Sequence, residues 1–227
     1  MTSIAQTYRT ADAINSAMSR VYGHMFMAVL TSMVVALLVS SSPAAMVFFF
    51  TGFMKWVTIL APLAFIFAVP VLLNSGISKI GKMLTLHAFA GLMGLSFATI
   101  FIVYALGSIV SAFMGAAVLF GVMSVYGYFT KQSLDNIGKY LFVGLIAIII
   151  ASVINIFIGS TVMQMVISAV AVVIFLGLTA YDTQQIREQL YNGNSNDGVE
   201  IAGALTLYLN FINLFLSLLQ LFGNKKD

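Results

Sequence analysis

Five stretches of this 227-residue chain hold no Asp, Glu, Lys or Arg: 21–54, 56–78, 83–130, 140–181 and 201–224. They run for 34, 23, 48, 42 and 24 residues. A helix needs about 20 apolar residues to cross the roughly 30 Å hydrocarbon core of a bilayer. The two longest stretches therefore hold two spans each and the others one, which predicts seven transmembrane helices. The expected spans are Val21–Val39, Trp56–Asn74, Leu84–Leu106, Val110–Phe129, Tyr140–Ile158, Val162–Gln185 and Ile201–Phe222. Turns are expected at Gly107-Ser108 and at Gly159-Ser160-Thr161, and Pro62 and Pro70 are expected to bend the second span. No segment keeps the in–out alternation of a membrane barrel, so strands are excluded. The predicted fold class is an all-α integral membrane protein. Residues 1–20 form a polar N-terminal tail, 21–224 a single seven-helix membrane domain and 225–227 a short C-terminal tail.

Composition strengthens this reading. Charged residues make up 7% of the chain and apolar residues 61%, whereas a soluble domain carries roughly 25% charge. The charged start followed by an apolar run could suggest a cleaved signal peptide. The run Val21–Val39 has 19 residues, longer than the roughly 7–15 of a signal h-region, so it reads as a retained span. There is no cysteine, hence no disulfide and no thiolate metal site. The net charge of +3 comes from ten Lys and Arg scattered over separate connections. They form no stripe for nucleic acid, and the lipid bilayer is the expected partner. Their distribution sets topology instead. Arg9, Arg20, Lys79, Lys82, Lys131, Lys139 and Arg187 fall on one side, and Lys55, Lys225 and Lys226 on the other. This predicts a cytoplasmic N-terminus and an external C-terminus.

An ionisable group inside a span costs roughly 2.5–3.5 kcal/mol on insertion scales and marks a functional candidate. Asp182 follows about 20 apolar residues. By depth alone, span six could end there and leave Asp182 wet at the interface. The last span argues for an inward position. Its Gly203, Thr206, Asn210, Asn213, Ser217 and Gln220 recur at spacings of 3 and 4, so the small and polar residues share one stripe. Spans six and seven, folded about the turn Asn192-Gly193-Asn194-Ser195-Asn196-Asp197, bring Asp182 level with Asn210. Span six would then run on to about Tyr191. Asp182 also shares a stripe with Gln164, Ser168, Ala171, Phe175 and Gln185.

LTAYDTQQIR (Leu178–Arg187) and GALTLYLNFINLFLSLLQLFGN (Gly203–Asn224) resemble the signature of the transmembrane Bax inhibitor motif family. SVYGYFTKQSLDNIG (Ser124–Gly138) and Asn155-Ile156-Phe157 are similar to bacterial inner-membrane members. The resemblance covers essentially the whole chain. It implies six helices wrapped around a central seventh, a bacterial inner-membrane location, and a pH-sensitive calcium leak controlled by two facing aspartates. The first of these matches Asp182. At the second position this chain has Asn210. An Asp–Asn pair cannot share a proton as two carboxyls do, so a pH switch moves or weakens. One negative charge also makes Asp182 a poor calcium ligand, since calcium takes several oxygens. The resemblance further implies a basic residue near the inner end of span two; Lys79 and Lys82 stand nearest, with Lys79 as a partner for Asp182 or as an interfacial anchor.

Thr206, Asn213 and Ser217 are the expected polar lining of the pathway, with Asn155 hydrogen-bonded between helices and a secondary lining residue. His87 and His24 read as satisfied packing residues. Gly91, Gly94, Gly115 and Gly121 are expected at close helix contacts. No HExxH, GxSxG, Walker or dinucleotide motif is present, so no enzyme activity and no cofactor are expected. Calcium enters only as a transported ion. Two functions remain: a passive cation leak through Asp182 and Asn210, or a non-transporting regulator that binds other membrane proteins such as a protease or secretion machinery. A monomer is compatible with either.

Overall fold

The buried side chains of the first helix run from Ile14 through Ala17, Met18, Val21, Met25, Ala28, Val29, Ser32 and Ala36 to Val39. Steps of three and four keep one face inward along its whole length. The computed structural model describes residues 11–192 and 197–226. Among them lie nine helices: α1 (Ala11–Ser40), α2 (Pro43–Phe50), α3 (Met54–Asn74), α4 (Lys79–Phe97), α5 (Ile100–Val103), α6 (Leu106–Phe129), α7 (Asp135–Ile158), α8 (Thr161–Tyr191) and α9 (Asp197–Phe222). Seven segments are long and apolar enough to cross a membrane, with α4 and α5 together making the third, Lys79–Val103. The chain is an all-α membrane protein, as its hydropathy pattern predicts.

Several boundaries depart from expectation. Residues 11–20, expected in the polar tail, are already helical and continuous with the first span. A rule that stops at the first charge stops at Arg20, whereas the apolar period continues back to Ile14 with Asp12 and Arg20 on the exposed side. Residues 1–10 of the expected tail, including Arg9, lie outside the described residues, as do 193–196 of the expected turn. Helix α2 was not foreseen. Ser42 caps it, its hydroxyl accepting from the Ala45 N–H at 3.3 Å, and Pro43 occupies the first turn, where a missing N–H costs nothing. Pro62 and Pro70 both lie inside an α3 that continues through them.

The turn expected at Gly107-Ser108 falls instead at Tyr104-Ala105, and Gly107 is already helical. The C-terminal segment explains this. Ala105 N–H donates to Asn224 O at 3.0 Å, Lys226 N–H to Val103 O at 2.9 Å, and Tyr104 bridges Lys225. Lys225 and Lys226 are therefore tied down and do not form a free tail. The other predicted turn is present: Gly159 takes the left-handed conformation (φ 68°) at the end of α7, and α8 starts at Thr161.

The chain divides into two compact units, Met1–Thr99 with Gln185–Tyr208, and Ile100–Gln184 with Leu209–Asp227. In the first, α1 packs on α4 at Gly94, where a Cβ would meet Ser32 O at 2.6 Å. Ser32 Oγ donates to Ala90 O at 2.8 Å, so the fully buried Tyr208 donates its hydroxyl to Ser32 at 2.7 Å. The Tyr208 ring meets Phe89 edge-on, centroids 6.1 Å apart. In the second unit, Phe113 and Phe120 pack edge-on against Phe211 at 5.2 and 5.7 Å. Helix α9 contributes to both units. Its most apolar window is 72% buried, against 6–33% for the other six spans.

Candidate functional site

Helix α8 does not stop where its apolar run stops. Leu178, Ile186 and Leu190 keep the buried face in register past Asp182, and Thr183 and Gln184 are buried beside them. The helix ends at Tyr191, which places Asp182 about 13 Å from that end. Asp182 is half-buried. Asn210, on the mostly buried α9, is 5% exposed. The Asn210 amide Nδ2 donates to Asp182 Oδ2 at 2.6 Å. The structure thus brings together the two residues that the hairpin argument set level. A hydrogen bond to a carboxylate is charge-assisted and among the stronger kinds.

The residues flanking Asp182 are held by α6, α7 and the connection between them. Gly127 of α6 lies directly on the Ala180 backbone, and any Cβ there would collide with the Ala180 carbonyl. Gly138 of α7 lies under the Tyr181 ring, where a Cβ would come within 2.5 Å of Cε2. One turn on from Ala180, along the same face of α8, Gln184 holds the connection between α6 and α7. Its Oε1 accepts the Leu134 N–H at 2.8 Å and its Nε2 donates to Gln132 O at 2.9 Å. Thr183 Oγ1 reaches Ser124 Oγ at 3.5 Å. In the sequence Gln184 stands out only as part of LTAYDTQQIR; its partners are two main-chain groups, which carry no signal in side-chain chemistry.

The other expected residues divide. Thr206 Oγ1 donates to Ala202 O at 3.1 Å, Asn213 Nδ2 to Leu209 O at 2.8 Å and Ser217 Oγ to Asn213 O at 2.7 Å. Each turns its donor onto its own helix, four residues back, as polar side chains do in apolar surroundings. Asn155 is buried at the end of α7, accepting the Ser160 N–H at 3.1 Å and donating to Gln164 Oε1 at 3.2 Å. Lys79 is not a partner of Asp182. It pairs with the exposed carboxylate of Asp197 in the first turn of α9, at 2.8 Å. His87 Nδ1 lies 2.9 Å from Thr31 Oγ1, the packing role expected of it. Among the described residues no three His, Asp or Glu side chains gather around a common point. Asp182 as a metal ligand therefore offers one carboxylate among neutral oxygens.

One ion pair with a buried carboxylate was missed. Glu200 is 5% exposed and takes a bidentate guanidinium: Arg20 Nε donates to Oε2 at 2.8 Å and Nη2 to Oε1 at 2.6 Å. Arg20 Nη1 also donates to Ser16 Oγ at 2.9 Å. Both residues sit at edges of charge-free stretches, where a hydropathy reading assigns charges to water.

A protein-family model described as inhibitor of apoptosis-promoting Bax1 matches residues 14–227. The inner membrane protein YbhL of Escherichia coli K12 is 39% identical over 218 residues, covering 92% of each chain. An uncharacterized protein of Rickettsia prowazekii, RP147, is 34% identical, over 95% of this chain and 92% of its own. An uncharacterized protein of Deinococcus radiodurans is 34% identical over 100% of this chain and 98% of its own. With a family match over nearly its full length and relatives aligned end to end, this chain is a multi-pass membrane protein of the Bax inhibitor family.

Proposed function

We propose that the chain forms a passive, pH-modulated calcium leak across the bacterial inner membrane, with Asp182 as the charged element of its constriction and Asn210 as the neutral partner. The observation that carries this reading is the Asp182 carboxylate, half-buried within a span and held at 2.6 Å by the Asn210 amide. Intramembrane carboxylates are costly and concentrate on ion pathways and proton relays. The second Asp182 oxygen and the Asn210 amide oxygen are hard donors of the kind calcium takes. One negative charge binds a divalent ion weakly, which suits passage over storage, because conduction requires that the ion leave again. Thr206, Asn213 and Ser217 continue the polar stripe of α9.

Protonation of Asp182 removes the only formal charge of the pair, so flux falls as the medium is acidified through its titration. The lysine and arginine asymmetry supports a cytoplasmic N-terminus and, with it, an Asp182 nearer the cytoplasmic face. The purified chain in liposomes loaded with a calcium dye provides the test. Flux above that of empty liposomes between about pH 6 and 8 is expected. Flux equal to that of empty liposomes throughout this window sinks the leak, and a regulator acting through other membrane proteins takes its place.

A further inference from the structure

At the opposite end of α8 and α9 from Asp182, uncharged side chains from three spans converge. Gln164 Nε2 donates to Gln220 Oε1 at 2.7 Å, and Ser168 Oγ donates to the same oxygen at 2.8 Å. Gln164 Oε1 accepts from the buried Asn155 of α7. Ser168 is 1% exposed, Gln164 half-buried and Gln220 exposed, so the cluster runs from the interior to an open surface. Gln220 lies on the α9 stripe that begins at Asn210, with Asn213 and Ser217 between at steps of 3, 4 and 3. Along α9 the two ends of that stripe stand about 15 Å apart.

We infer that Gln164, Ser168 and Gln220 form a second, uncharged gate on the pathway that Asp182 guards. The inference rests on the leak reading and adds where the pathway closes. With Gln164 bonded to Gln220, the side chains of α8 and α9 meet across the seam at its exposed end. Both Asn213 and Ser217 turn their donors onto their own helix, and further along the seam Asn210 of α9 donates to Asp182 of α8. An ion travelling along the stripe must part the Gln164–Gln220 contact. Neutral amides can exchange this bond for water or for the ion without exposing an unpaired charge, whereas a salt bridge could not. A gate of this chemistry opens rarely but reversibly, which gives a slow leak.

Because the chain has no cysteine, a Gln164→Cys/Gln220→Cys protein carries the only two thiols. Calcium flux into dye-loaded liposomes is measured before and after cross-linking with a short bis-methanethiosulfonate, which joins each thiol through a disulfide and releases methanesulfinate, and again after reduction of those disulfides, with linkage verified by intact mass. The gate predicts that cross-linking cuts flux at least tenfold and that reduction restores it. Gln164→Ala and Gln220→Ala, which cannot make the bond, should each raise flux roughly 5- to 30-fold over wild type. Fully cross-linked protein that leaks like the reduced form, or Ala variants that leak like wild type, overturn the gate and leave the Asp182 reading standing. Wild-type, reduced and Ala proteins all indistinguishable from empty liposomes overturn the leak itself, and the gate with it.

Discussion

At the scale of single residues, an amide occupies a place where a second carboxyl would couple to the first. Asn210 donates to Asp182 and carries no proton of its own to share, so Asp182 titrates alone. Asn210→Asp sets two carboxyls at hydrogen-bonding distance, and such a pair loses its protons in two separated steps. The pH profile of calcium flux should therefore change from one limb to two and become more pH-dependent. An unchanged profile would mean that the two side chains do not act on the ion together. The Arg20–Glu200 pair makes a different prediction. Arg20→Ala leaves a buried carboxylate without its fork of donors and should cost about 2–3 kcal/mol, toward the low end because the arginine is 44% exposed. Arg20→Met with Glu200→Leu removes both charges and should regain most of that loss. Detergent melting curves of the two proteins measure the difference, and equal losses would show that charge burial is not the cause.

Elements are held by close approach as much as by apolar area. Gly127 rests on the Ala180 backbone and Gly138 under the Tyr181 ring, both within two residues of Asp182, and Gly177 lies against Leu141. Gly127→Ala must push α6 off α8 and should destabilise by about 1–3 kcal/mol. Gly91, in α4, meets nothing within 4 Å. Gly91→Ala should be neutral or stabilising by about 0.5–1 kcal/mol, the helical preference for alanine. Comparable melting temperatures for the two variants would contradict the packing account. The same contrast shows what sequence could convey. Of the four glycines expected at close contacts, Gly94 lies hard against Ser32 and Gly115 in ordinary contact with Leu218, while Gly91 and Gly121 face open space. Composition marks a glycine but not what stands opposite it. Span count followed from charge spacing, because hydrocarbon imposes a minimum length on every helix. The start of the first helix did not, because Ile14 carries its buried face beyond the charged Arg20, whereas the hairpin argument did set the end of span six at Tyr191.

For the molecule as a whole, the pairing of Asp182 with Asn210 was legible because both lie on periodic stripes that an antiparallel hairpin sets level. The Gln164–Gln220 contact was legible only as two polar residues on those stripes, and the Arg20–Glu200 pair lies outside any such pattern. Family membership and seven spans describe the scaffold; the proposed leak rests on one carboxylate within it. The most direct measurement compares calcium entry into dye-loaded liposomes carrying wild-type protein, Asp182→Asn protein or no protein. The account predicts entry above the protein-free level for wild type and a fall to near that level for Asp182→Asn, with both proteins equally folded. Entry through Asp182→Asn at the wild-type rate would contradict it.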